Sequence, residues 1–143
     1  MDRSPEWALD RLRSMPAADT FGFDFLERSA KRAGVAMPAA HGMLQVERVL
    51  HGGAIAALAD TAAVYLLLPE LGDGQSMTSI EFKMNFLRPV LGDRGAVEAM
   101  ATPVKRGRTV AVASVDVRQD GALCAVGVFT YLIMDVGGGS ESA

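Results

Sequence analysis

The chain has 143 residues, enough for one domain and too few for two of ordinary size. Half of them are hydrophobic and 22% are charged, which excludes a disordered chain. Lys plus Arg number 14 against 17 Asp plus Glu, a net charge of −3 that argues against a general nucleic-acid binder, and one cysteine excludes an internal disulfide framework or a cysteine-built zinc site.

The opening MDRSPEWALD lacks the basic-then-apolar run of a signal peptide, so a cytoplasmic protein is expected. Trp7, Leu9 and Leu12 then mark a short amphipathic helix that Pro16 ends, and residues 1–20 read as an N-terminal helical extension. Phe21, Phe23 and Phe25 alternate with Gly22 and Asp24, which is strand periodicity. The polar stretch from Glu27 to Arg32 reads as a turn, and Val35 to Met37 as a second short strand before Pro38. Residues 39–50 read as loop with one helical turn.

Residues 53–68 form the strongest helix signal, rich in Ala and Leu and closed by Pro69, Gly72 and Gly74. It is apolar nearly all round, so protein should surround it. The run from 54 to 68 is shorter than the roughly 20 residues of a membrane span and carries Asp60 near its middle, so a buried core helix is the better reading.

From residue 76 onward the pattern is strand. Ile80, Phe82, Met84 and Phe86 alternate with Ser79, Glu81, Lys83 and Asn85, giving one dry and one wetter face. Residues 95–104 and 109–118 form two more strands joined through Lys105, Arg106 and Gly107. Asp120-Gly121 is a hairpin signal, and residues 122–134 make the last strand. The tail 137–143, VGGGSESA with its leading Val136, has flexible-linker composition. Segregated helix and strands make this an α+β chain, with four final strands expected as an antiparallel meander and the curved sheet wrapped around one long buried helix.

Asp60 is the most informative residue. An ionised carboxylate among AIAALA and TAAVYLLL is costly unless it is paired, so it either faces a small exposed patch, bonds to a neighbouring backbone group or marks a functional site. His51-Gly52-Gly53 lies at the start of the same helix, where backbone N–H groups lack partners and glycines let a ligand approach them. An oxyanion or polarised carbonyl would be stabilised there; the plainer reading is a tight helix entry. The eight residues from Gly52 to Asp60 span roughly 12 Å of helix, too far for both to touch one carbonyl carbon within a chain. If they act together, the acid comes from a second subunit, and an antiparallel pairing of two such helices gives two composite sites.

The run LHGGAIAALADTAA, followed by TSIEFKMNFLRPV and a Gly-Arg turn, resembles the hotdog-fold acyl-CoA thioesterases, and most closely their PaaI-like, phenylacetic-acid-degradation branch. The resemblance covers about residues 40–134 and makes 21–136 a hotdog domain. It implies hydrolysis of an acyl-CoA thioester to a carboxylate and free CoA, without metal or cofactor, coenzyme A being part of the substrate. It makes Asp60 the nucleophile or general base and points the Gly52 N–H at the thioester oxygen, with Gly53 beside it at the substrate. His51 shapes that loop. Gln45, six residues before the histidine, positions the carbonyl or the water. Ser79, with Thr78 as the near alternative, holds the attacking water. Of the basic residues Arg88, Lys105, Arg106 and Arg108, at least one is expected to meet the CoA phosphates, although a solvated hairpin turn would carry the same charges. A homodimer is the minimum assembly implied, and a homotetramer built as a dimer of dimers is expected; no nucleic-acid or membrane partner is.

Two departures stand out. Related 4-hydroxybenzoyl-CoA thioesterases carry Thr four residues after the acid, where this chain has Val64. The N-terminal strands also look short for the family. Two other functions share the fold: hydration or dehydration of acyl thioesters, which the spacing of His51 and Asp60 fits less well, and noncatalytic acyl-CoA binding, in which a buried acid gains little. Cys124, in an apolar strand, reads as a structural thiol, His41 as a loop residue, and Met77, Met84 and Met100 as core or pocket lining.

Overall fold

The computed structural model describes residues 4–136; the predicted tail 137–143 lies outside them. Two short helices open the chain, α1 (Pro5–Ser14) and α2 (Pro16–Phe21). Ser4 caps α1 by accepting from the Trp7 N–H, and Pro5 occupies the first turn, where its missing N–H costs nothing. Strands β1 (Asp24–Ser29) and β2 (Arg32–Met37) form a hairpin. Helix α3 (Gly52–Leu67) follows, then β3 (Gln75–Phe86), β4 (Val97–Arg106), β5 (Val110–Gln119) and β6 (Ala122–Asp135).

The expected strand at the phenylalanines begins later than their alternation suggests. Phe21 ends α2, which Gly22 closes in the left-handed conformation at φ 72°, and Phe21 stacks on Phe23 across that cap. The turn expected over Glu27–Arg32 is only Ala30-Lys31; Glu27 and Arg28 belong to β1.

All six strands pair antiparallel in one sheet of order β1-β2-β4-β5-β6-β3. The four-strand meander is therefore corrected. Only β4-β5-β6 meander, while β3 lies at the far edge against β6 and the chain must cross the sheet end to reach β4. Alternation records which face a residue takes and not which strand it pairs with. The buried amide of Gln119 ties that crossing down: its oxygen accepts from the Leu91 N–H at 2.9 Å and its nitrogen donates to the Leu91 and Gly95 carbonyls.

The sheet curves around α3. The helix lies over β2, β4 and β5, with Leu58, Ala59, Ala62, Ala63 and Leu66 fully buried against Ala33, Val35, Ala99, Ala101, Ala113 and Val115. Alanines on both sides let helix and sheet approach closely, which explains why an almost all-apolar helix sits inside a small domain. With its closing turn the segment Gly52–Glu70 has the length and mean hydropathy, 1.5, of a membrane span, yet 61% of it is buried within the protein.

The helix covers β3 far less than it covers β2, β4 and β5. Phe82, Met84 and Phe86 pair in register with Phe129, Gly127 and Ala125, so they point to the helix side of the sheet. Even so, Phe82 and Phe86 are 51% and 54% exposed, and the dry face expected for this strand is dry only toward β6. A register shift between Ser79 and Glu81 leaves Ile80 out of the ladder and 54% exposed.

Candidate active site

Asp60 sits half-buried on α3 and has a specific partner. The Tyr131 hydroxyl, from β6, donates to Asp60 Oδ1 at 2.5 Å and lies 3.3 Å from the Asp60 carbonyl. Tyr131 is itself buried. Burial first, then the Asp60 charge and the hydrogen bond, push its phenol well above the ordinary value of 10.0, so it remains a donor at any working pH. The carboxylate is thus hydrogen-bonded at one oxygen, which offsets part of the cost of holding it in an apolar helix.

A cavity of about 540 Å³ opens over this pair. Val64 and Leu68 line it from the α3 side, Met77, Thr78 and Ser79 from β3, and Trp7 and Arg11 from α1. Both expected water-holding residues reach it. Ser79 pairs directly with Tyr131 across the strands and so shares the face on which Tyr131 meets Asp60, whereas Thr78 pairs with Leu132.

The start of α3 belongs to a different cavity, about 390 Å³, lined by Gln45, Gly52, Ile55, Phe86 and Arg88 among others. His51 caps the helix: its Nδ1 accepts from the Gly53 N–H at 2.8 Å, which places the proton of the neutral ring on Nε2. The Ala54 and Ile55 N–H groups turn back to the His51 carbonyl. Gly53, expected at the substrate, therefore spends its donor internally. The Gly52 N–H has no acceptor among the described residues. A Cβ at 52 would stand 3.2 Å from the Phe86 ring, so a side chain there would have to push that ring aside by a few tenths of an ångström.

Gln45 presents an exposed side chain beside Gly52 from a tight loop in which Glu47 and Arg48 both take positive φ, 59° and 64°. An ion pair between Arg48 and Asp93 and the bridge between Leu44 and Leu50 hold that loop.

The two groups of site residues stand at opposite ends of β3. Ser76–Ser79 flank the Asp60 cavity and Phe86 the Gly52 cavity. The expected phosphate contacts divide in the same way. Arg88 lies with Gly52, and its N–H donates to the Cys124 carbonyl at the start of β6. The turn carrying Arg108 lies at the other end, where the Thr109 carbonyl accepts from Ile133. Lys105 is exposed on β4, and Arg106 is committed to the Ala30 carbonyl and to Glu70, 3.9 Å away. The antiparallel hairpins separate residues that the sequence lists close together.

A further cavity, about 880 Å³, flanks β1 and is lined by Arg13, Arg28 and Tyr65 among others; it contains none of these groups. Sequence reasoning missed Tyr131 and Arg11. The signal for Tyr131 was a hydroxyl-bearing aromatic in an otherwise apolar strand, which demands a hydrogen-bond partner when buried.

Residues 47–125 match the thioesterase superfamily. The chain belongs to that family. A Haemophilus influenzae protein bearing an esterase name is 33% identical over 117 residues, 81% of this chain and 78% of the relative. A crystal structure of a thioesterase from the same organism superposes with a TM-score of 0.80 at 32% identity, covering 90% of this chain and 89% of that one. A mutant of the phenylacetic acid degradation protein PaaI from Thermus thermophilus matches with a TM-score of 0.75 at 28% identity, covering 82% and 98%. The hotdog fold and the PaaI-like resemblance read from the HGG and ADT motifs therefore hold, and the chain is a thioester hydrolase.

Proposed function

We propose that this thioesterase hydrolyses acyl-CoA thioesters in two sites per homodimer, each built from the α3 start of one subunit and the Asp60 cavity of the other. The observation that carries the reading is the division of the site. The unpaired donor at the start of α3, Gly52 N–H, and the one carboxylate in the Asp60 cavity lie in separate cavities at opposite ends of the exposed edge strand β3. Eight helix residues separate them, roughly 12 Å. A two-fold axis pairing two β3 edges antiparallel sets the Ser76–Ser79 end of one strand beside the Phe86 end of the other. It also covers the exposed side chains of Phe82 and Phe86, an edge that a monomer would leave open to aggregation.

In such a site the Gly52 N–H, at the positive end of the α3 dipole, donates to the thioester oxygen and gains strength as that oxygen becomes an oxyanion. With Tyr131 on Oδ1, the second Asp60 oxygen is free to take a proton from water held at Ser79. Water oxygen bonds to the carbonyl carbon, the C–S bond breaks, and the proton on Asp60 passes to the leaving thiolate. Asp60 thus acts as general base, and no metal or cofactor enters. Arg88 and Arg108, from opposite ends of the sheet, are the basic residues best placed to share the CoA phosphates once two subunits meet.

Subunit complementation tests the composite site. Asp60→Asn and Gly52→Val homodimers should both be inactive, and an equal mixture refolded together should recover about a quarter of wild-type thiol release, because half the dimers then hold one intact site of two. No recovery from well-folded heterodimers would place both groups in one subunit. One turnover in H₂¹⁸O should label the released carboxylate; an unlabelled first product would make Asp60 the nucleophile instead.

A further inference from the structure

The helix that precedes the catalytic domain closes the far side of the Asp60 cavity. Ala8 and Leu12, four residues apart, are buried and anchor α1. Trp7 and Arg11, also four apart, share an adjacent face and line the cavity. The Arg11 guanidinium lies 5.3 Å from the centre of the Trp7 ring. A cation over an indole face is attracted by the ring quadrupole, which biases the exposed Arg11 side chain toward the Trp7 side of the cavity.

The charge balance of the cavity is the second observation. Among its lining residues only Asp60 and Arg11 carry charge; apolar walls such as Trp7, Val64 and Leu68 and the hydroxyls of Ser79 and Tyr131 are among the rest. Asp60 is already hydrogen-bonded to Tyr131, whereas Arg11 makes no ion pair among the described residues. About 540 Å³ lies within the range of small-molecule sites, roughly 300–1,000 Å³. An acyl chain whose carbonyl reacts at Asp60 would run between the apolar walls toward α1 and end at a positive charge.

We propose that Arg11 and Trp7 select acyl groups that carry a carboxylate at the end remote from the thioester, a monothioester of a dicarboxylic acid, with Arg11 binding the carboxylate and Trp7 flanking the chain. A second carboxylate brought near Asp60 is repelled unless a cation meets it, and the guanidinium fork fits a carboxylate with two N–H groups. The proposal rests on the hydrolase reading of the same cavity and adds its substrate class.

The test compares adipoyl-CoA with hexanoyl-CoA, which differ only in the remote carboxylate. Wild type should favour adipoyl-CoA by about tenfold or more in kcat/KM, the size of a charge-assisted hydrogen bond. Arg11→Gln should bring the ratio close to one, Arg11→Lys should keep part of it, and Trp7→Ala should weaken it, with circular dichroism confirming that each variant folds. The same pair made as pantetheine thioesters, which lack the nucleotide, should show the same ratio and the same loss. A wild-type ratio near one or below overturns the proposal while leaving hydrolysis intact. So does an Arg11→Gln effect that is equal for both acyl groups and vanishes with pantetheine thioesters, which would make Arg11 a contact for the CoA phosphates. Failure of folded wild type to cleave either substrate while it cleaves phenylacetyl-CoA overturns this assignment alone; failure on all three thioesters overturns the acyl-CoA hydrolase reading of the cavity, and this assignment with it.

Discussion

In the proposed site the start of α3 and its middle carry the two halves by opposite means. At the start, chemistry would come from backbone: His51 consumes the Gly53 N–H and leaves that of Gly52 unpaired, and a side chain at 52 would crowd the Phe86 ring. In the middle it comes from a side chain, Asp60, whose charge needs Tyr131 from another strand to hold it. A backbone donor is positioned by the helix itself, whereas a carboxylate in an apolar helix depends on what the sheet supplies. The first half should therefore tolerate changes in the sheet, and the second should not.

The sharpest way to break this contrast is Asp60→Asn, which keeps shape and loses the proposed base. Thiol release should fall about a thousandfold with acyl-CoA binding retained, measured by steady-state kinetics and calorimetry. A binding module would show no turnover in either form. Gly52→Ala leaves the donor in place but crowds Phe86, and should cost on the order of a hundredfold in kcat by shifting that donor against the carbonyl.

Phe82→Asp attacks the proposed junction between the halves. Phe82 stacks on Phe129 at 5.3 Å, and its outer side is exposed. Sedimentation should show dissociation, with activity falling in step with the dimer fraction; full activity as a monomer would defeat the shared site. Tyr131→Phe tests the dependence of the second half on the sheet. It should lower kcat about tenfold, equivalent to roughly 1.4 kcal/mol, without a matching rise in KM.

The smallest effect is on stability at alkaline pH. Tyr131 and Tyr65 are the chain's two tyrosines, and burial raises both phenols in the folded state; for Tyr65, Arg28 and Arg13 offset part of the rise. A raised folded pKa gives stability that is fully present below the unfolded value near 10.0 and is lost as pH climbs past it. Thermal melts should therefore fall above pH 10, and Tyr131→Phe should fall less steeply.

Much of the site was legible because its pieces are local. The HGG entry, the lone acid nine residues on and the apolar helix between them lie within one stretch of chain, and their separation along a helix follows from 1.5 Å per residue. Gly53 and the basic cluster were less legible. Whether a helix-start N–H is free depends on which way His51 turns, and whether Lys105, Arg106, Arg108 and Arg88 meet depends on the direction of each hairpin.

The sequence by itself determined most of the elements, the buried helix and the place of a lone carboxylate within it, because hydrophobic period, glycine placement and the cost of a charge in an apolar run are all properties of short stretches. Tertiary structure alone decided that β3 crosses to the far edge, that Tyr131 holds Asp60 and that α1 brings Trp7 and Arg11 to the same cavity. These are contacts between distant parts of the chain, and alternation along a strand carries no record of which neighbour it will find.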